Sequence, residues 1–283
     1  MKEKKKLARV LLYLVVILIV VWTIAPYLWL VISSFSYKID LITVPLKWIP
    51  TRLTLENYTG LFYSNGEASF NVGLFLKSLR NSLIISISTM LISLPIGVLA
   101  AYASTRLKYK GSGIVMFTSL IAQLIPPIIL VIPLFVIMRQ FVLIDKPIGL
   151  ILVDISIALP LVIWLMRGYF ATIPFDLEDA ARIDGCTRLG ALVRVILPLT
   201  GPGLVSVMIF AFISSWNEYL YAFVFTQVQA KTLPVLIGEF STKLGLDYLK
   251  IAAAGVLASL PPVGLALLFQ KFIIRGLTSG SVK

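Results

Sequence analysis

Carboxylates inside long apolar runs are the first residues that could do chemistry here, since a charge in lipid is costly and usually faces a protein interior. Asp154 lies in one such run with only apolar residues and Ser156 close by, and Glu218 lies toward the end of another. Beside Glu218 stand Trp216, Asn217 and Tyr221. A carboxylate, an amide and aromatic plates at one helix end could bind a solute rich in hydroxyl groups. Gln123, a further polar residue at membrane depth, suits a helix-to-helix hydrogen bond.

A second constellation is mechanical. Between two apolar runs comes Thr172-Ile173-Pro174-Phe175-Asp176-Leu177-Glu178-Asp179, then Ala180-Ala181-Arg182-Ile183-Asp184-Gly185. A proline at the first helical position and three acids in the first turn predict a helix start. Glu178 and Arg182, four apart, are placed to pair. Gly185 supplies the left-handed residue that ends the helix, and Thr187 caps a second short helix that runs through Arg194 into Leu197-Pro198. Helix, sharp turn, helix describes an elbow at the membrane surface, over residues 172–198. Taken by itself it also fits a capped connector.

Other chemistry has little support. The chain carries no histidine and a single cysteine, Cys186. It has no G-x-x-x-x-G-K-[ST] phosphate loop and no cysteine cluster, so neither ATP hydrolysis nor an intramolecular disulfide is expected of it. A net charge of +12 could suggest nucleic acid, but the basic residues are scattered without interleaved aromatics.

The elements that must position these residues are membrane spans. Of 283 residues 59% are hydrophobic and 13% charged, where a soluble domain has about a quarter charged; mean hydropathy is +0.97. Six runs reach the ~20 residues that cross a bilayer: 7–32, 79–104, 114–138, 148–166, 199–225 and 251–274. The expectation is an all-α membrane protein of six helices, with the elbow between helices 4 and 5. It divides into a first helix (1–32), an extracytoplasmic loop (33–78) and a core of five helices (79–283). The first run is too long for a signal peptide, so it reads as a retained helix. With the N-terminus inside, 15 of the 25 Lys and Arg fall on the cytoplasmic side, which places both termini and the elbow in the cytoplasm. Thr54 offers a cap for a short helix with Tyr58 and Leu61-Phe62 on its apolar face. Residues 70–79 form an amphipathic candidate along the interface, and Gly97-Ala101 a close helix contact.

Asp179-Ala180-Ala181, Gly185 four positions on, then Val195 and Leu197-Pro198 resemble in spacing the E-A-A, G, I-x-L-P signature of ABC-importer permeases. Asp179 replaces its glutamate and Val195 its isoleucine. Thr54-Leu55-Glu56-Asn57-Tyr58, Ala100-Ala101-Tyr102-Ala103, Trp216-Asn217-Glu218-Tyr219 and the C-terminal 272–280 are similar to segments of carbohydrate-importer permeases, above all the smaller permease of the maltose-transporter type. The resemblance implies that Glu178, Asp179, Ala180, Ala181, Asp184, Gly185, Leu197 and Pro198 meet a cytoplasmic ATPase. It further implies two ATPase copies using ATP and Mg, a second related permease, and an extracytoplasmic solute-binding protein docking on the outer loops, with none of those cofactors held by this chain. Substrate-path candidates are Asp154, Trp216, Asn217, Glu218 and Tyr221. The alternative is a secondary transporter driven by an ion gradient, which would carry internal repeats and midplane ion ligands; neither is evident.

Overall fold

A bilayer core offers no water to a backbone, so apolar runs close their hydrogen bonds within helices. The computed structural model follows that rule and describes residues 2–45, 47–50, 52–62, 72–107, 111–242 and 245–278. Its helices are α1 (Lys2–Ser34), α2 (Lys38–Ile42), α3 (Glu56–Phe62), α4 (Val72–Arg106), α5 (Ser112–Leu124), α6 (Pro127–Gln140) and α7 (Pro147–Ala171). After these come α8 (Phe175–Ile183), α9 (Arg188–Ala191), a π-helical turn (Leu192–Ile196), α10 (Leu197–Leu199), α11 (Gly201–Trp216) and α12 (Leu220–Phe225). α13 (Leu233–Gly238), a pair of two-residue antiparallel strands (Ser241–Thr242 and Gly245–Leu246) and α14 (Tyr248–Thr278) complete the order. Of the expected features, Phe70 and Asn71, Lys108 and Lys110, and residues 279–283 lie outside the described residues.

Four helices are long and apolar enough to cross a membrane unaided: α1, α4, α7 and α14. The third expected span is not one straight helix. α5 and α6 meet at a bend of 101°. Ile125 and Pro126 there are extended, with ψ of 120° and 126°, because a proline bars the residue before it from the helical region and Pro127 follows directly. The fifth expected span is also broken: α11 stops at Trp216, and α12 restarts at Leu220. The elbow helices turn into α11 through 86°. Residues from Val72 onward belong to α4 itself, so a separate interfacial helix over 70–79 is replaced by the first turns of that span.

Two units share the chain, Met1–Leu76 with Leu236–Ser259, and Lys77–Val235 with Leu260–Lys283. In the first, α3 is tied to the end of α1. The Asn57 amide donates to Ser34 O (3.0 Å) and Ser36 O (2.9 Å), and the Tyr58 hydroxyl lies 2.7 Å from Ser34 Oγ. Thr54 Oγ1 accepts from the Glu56 N–H as expected of a cap, while Leu61 is fully buried. The side chains of α1 are mostly exposed (Trp22 is 80% exposed), as a lipid-facing helix requires.

The second unit has two apolar clusters. One joins Ile85, Leu150, Val153, Tyr221 and Phe225; the other joins Val98, Tyr102, Val162, Phe170, Leu192 and Ile196, close to the elbow. At the end away from the elbow, Asn81 donates to Gln229 O (2.8 Å) and Lys231 O (3.0 Å), and Ser82 Oγ accepts from Leu233 N–H. Gly97 lets α4 approach α7, for a Cβ built there would sit 2.3 Å from Val162 Cγ1. Gly97→Leu is therefore expected to cost about 1–3 kcal/mol by overpacking. A lower melting temperature in detergent, partly restored by adding Val162→Ala, is the expected result.

Candidate functional site

The elbow is built from its caps. Pro174, with φ −57° and ψ 141°, is the N-cap of α8 rather than its first helical residue, so the expected start moves by one position. At the other end Gly185 has φ +88°. Its N–H bonds to Arg182 O (3.1 Å) and that of Cys186 to Ala181 O (2.9 Å). This is the Schellman pattern that closes a helix through a left-handed residue. Thr187 Oγ1 then accepts from Gly190 N–H at 3.1 Å and caps α9. The π-helical turn over Leu192–Ile196 leads into Pro198, which has no N–H to continue a regular ladder.

These caps sort the candidate coupling residues into two faces. Asp179, Ala180, Asp184, Gly185 and Pro198 are exposed, and Leu197 is half-buried. Ile183 is 87% exposed, with Leu189 and Val193 also outward. Glu178 and Ala181 are buried, and they are the only buried residues of α8. Glu178 does not pair with Arg182 as the local spacing suggests. Arg182 instead lies 3.8 Å from Asp179 on the exposed side, a pair of small energetic weight.

Glu178 turns inward to a partner far back in the chain. Its Oε1 accepts from the Tyr102 hydroxyl (2.5 Å), and its Oε2 lies 3.5 Å from Arg106 Nε. Arg106 Nη2 donates to Phe170 O (2.9 Å) and Ile173 O (2.8 Å), and its guanidinium stacks 4.1 Å from the Phe175 ring. Sequence reasoning missed this pairing. Arg106 entered it only as a cytoplasmic charge, and Tyr102 only within a motif.

The substrate-path candidates gather near the break between α11 and α12. Asp154 is 4% exposed and its Oδ2 accepts from the Ser215 hydroxyl. Its Oδ1 is buried with no hydrogen-bond partner among the described residues. Glu218 accepts from Tyr221 N–H (2.7 Å) and Ala222 N–H (2.8 Å), so its carboxylate caps α12. The buried Tyr221 donates from its hydroxyl to Pro127 O (3.2 Å), which links the two broken spans. Trp216 is buried and stacked on Phe212. Asn217 alone of the five is exposed. Gln123 donates to Ile157 O (3.1 Å), the helix-to-helix role expected of it, and with Ser214 lines a shallow cleft of about 60 Å³ between α5, α7 and α11. Among the described residues no group of His, Cys, Asp and Glu is arranged to hold a metal.

Asp145, in the turn before α7, was not anticipated. It adopts φ +57°, and its N–H donates to Phe225 O (2.8 Å). Its carboxylate accepts from the N–H groups of Gln227 (2.9 Å), Val228 (3.2 Å), Gln229 (3.0 Å) and Ala230 (3.0 Å). Partial burial alone would raise this carboxyl, but the N–H groups of Gln227, Ala230, Gln229 and Val228 outweigh it and hold it below its ordinary 3.8. A lowered folded-state value stabilises the loop above the unfolded value and is lost as pH falls through the lowered one. Asp145→Asn is expected to cost about 1.5–3 kcal/mol of local stability, read as faster amide exchange over 226–232. Between about pH 8 and about pH 5 the wild-type loop should keep its protection, since the carboxylate stays charged there.

With this geometry in hand, the comparisons with known proteins are direct. Residues 93–279 match the family described as "Binding-protein-dependent transport system inner membrane component". The trehalose transport system permease protein SugB of Mycobacterium tuberculosis is 39% identical over 94% of each chain. The trehalose/maltose transport system permease protein MalG of Thermococcus litoralis is 34% identical over 99% of each. A chain of a bacterial ABC transporter that imports the acidic polysaccharide alginate superposes with a TM-score of 0.74, covering 95% of this chain and 97% of that one at 22% identity, which bears on fold alone. The matched region contains the elbow, both broken spans and the Tyr102–Arg106–Glu178 contact. This chain is a member of the binding-protein-dependent transport system inner membrane components, the non-catalytic, multi-pass permease subunits of ABC importers.

Proposed function

We propose that this permease carries a carbohydrate, a sugar, oligosaccharide or related polyol, across the inner membrane with a second, related permease. Two copies of a cytoplasmic ATPase, using ATP and Mg, would drive it, and an extracytoplasmic binding protein would deliver the solute. The relatives named for trehalose and maltose support the substrate class. The lysines and arginines counted at the elbow side support cytoplasmic termini.

One observation carries the coupling role: a short, doubly capped helix presents Asp179, Ala180, Ile183, Asp184 and Gly185 outward while Glu178 and Ala181 hold it from beneath. An outward apolar residue such as Ile183, ringed by charges, suits a cleft on a soluble partner. In the path, Asn217 is the candidate that meets solute. Asp154, Trp216, Glu218 and Tyr221 then shape the break on which Asn217 sits. A secondary transporter is disfavoured by the family match.

A cysteine at Ile183, in a Cys186→Ser background, tests this reading in native membranes. An ATP-sensitive cross-link to a nucleotide-binding subunit is expected. Absence of any adduct, with solute uptake by the purified chain on an ion gradient alone, would overturn it. Gly185→Val should also uncouple ATP hydrolysis from transport. Apart from its chain neighbours, no described atom lies within 4 Å of a Cβ at 185, so the effect arises from the left-handed backbone, a penalty of roughly 1–2 kcal/mol.

A further inference from the structure

If the elbow receives force on its exposed face, something must hand that force to the spans. α8 buries only Glu178 and Ala181. Ala181 offers a methyl group, an apolar contact without direction. Glu178 makes two directed contacts, and both go to α4, with Tyr102 and Arg106 one helical turn apart. Arg106 in turn holds the C-terminal carbonyls of Phe170 and Ile173, so the same side chain caps the end of α7. One guanidinium, whose side chain is 1% exposed, therefore joins α4, α7 and the elbow.

The joint is not saturated. Among the described residues, Arg106 Nη1 and Nε and Glu178 Oε2 are buried without a hydrogen-bond partner, and the ion pair stands at 3.5 Å. A charge-assisted N–H···O hydrogen bond prefers about 2.7–2.9 Å. A buried ion network left partly satisfied is costly, and a small rotation of α8 would convert the long contact into a paired one. The apolar cluster around Leu192 and Ile196 permits such a shift, since its contacts are not directional.

We propose that Tyr102, Arg106 and Glu178 form the joint that transmits elbow displacement to α4, with the long Nε–Oε2 contact seen here as one setting and a short Nε–H···Oε2 hydrogen bond as the other, Nη2 staying on the α7 carbonyls in both. This rests on the elbow being the ATPase contact. Glu178 is then a positioning residue that faces the spans, while its neighbour Asp179 faces the partner.

The test uses the assembled transporter, with its ATPase and second permease, in nanodiscs. Amide exchange is followed over α8 and over residues 98–106 of α4, with and without ATP and vanadate. Wild type is expected to respond at both places. Glu178→Gln keeps the shape and the Tyr102 hydrogen bond but removes the charge. It should retain the α8 response and reduce the α4 response about tenfold. Glu178→Asp, which keeps the charge on a side chain one methylene shorter, should retain more of it than the nearly isosteric Glu178→Gln, which a merely structural role does not predict. Tyr102→Phe, which leaves the ion pair intact, should give a smaller loss than Glu178→Gln. An α4 response in Glu178→Gln equal to wild type, with α8 still responding, overturns the joint and leaves the coupling role standing. An α8 segment that ignores ATP in wild type overturns the coupling role itself, and the joint with it.

Discussion

Each break in a membrane helix frees backbone groups that lipid cannot satisfy, and this protein meets that constraint with carboxylates. Glu218 caps the restart at α12, and Asp145 gathers the N–H groups of Gln227, Val228, Gln229 and Ala230. At the elbow, Arg106 does the reciprocal work on the last carbonyls of α7, with Glu178 beside it. Glu218, an acid that could be taken for a solute ligand, is thus engaged in holding irregular backbone. The breaks are what a gated path needs, and the charged groups make them affordable in lipid.

The two ends of the second unit are built differently. Away from the elbow, the polar ties are many and local: Asn81 and Ser82 on the 229–233 segment, and Asp145 on residues 227–230. Aromatic and aliphatic side chains of Tyr221, Phe225 and Leu150 fill the space beneath them. At the elbow end the polar tie is a single node of three side chains over an apolar cluster. Several directed bonds tie the end away from the elbow, where Ser78 Oγ and Thr232 Oγ1 are nonetheless buried without a partner among the described residues, whereas the elbow end rests on one long ion pair.

Hydropathy made the helices legible, because length and apolar content alone decide which runs can cross a bilayer. The caps were legible too. Gly185 and Thr187 act through their own backbone neighbourhood, and their types announce it. The breaks at Ile125-Pro126 and at Asn217–Tyr219 were not, since a window of hydrophobicity averages over them and only the Pro126-Pro127 pair hinted at one. Glu178 shows the sharper failure. Helical spacing offered Arg182 as its partner, yet a charge on the buried face of α8 has no choice but to find a buried counter-charge, and Arg106 lies 72 positions away. Asp145 is a similar case, a loop acid whose partners are all backbone and carry no signal in their side chains.

The same accounting of partners narrows what the solute can meet. A transported molecule must be released as readily as it is bound, so a path gains little from a deeply buried charge. Asp154 is 4% exposed with Ser215 on one of its oxygens, and Glu218 and Tyr221 are engaged with backbone. Beside the break, three exposed groups are polar and uncharged: Asn217, Ser214 one turn before it, and Gln123 across the cleft. An amide and a hydroxyl on apolar walls give hydroxyl-bearing solutes weak, exchangeable hydrogen bonds. Selectivity would then rest with the partner that delivers the solute, and this chain would contribute a surface over which it can slide.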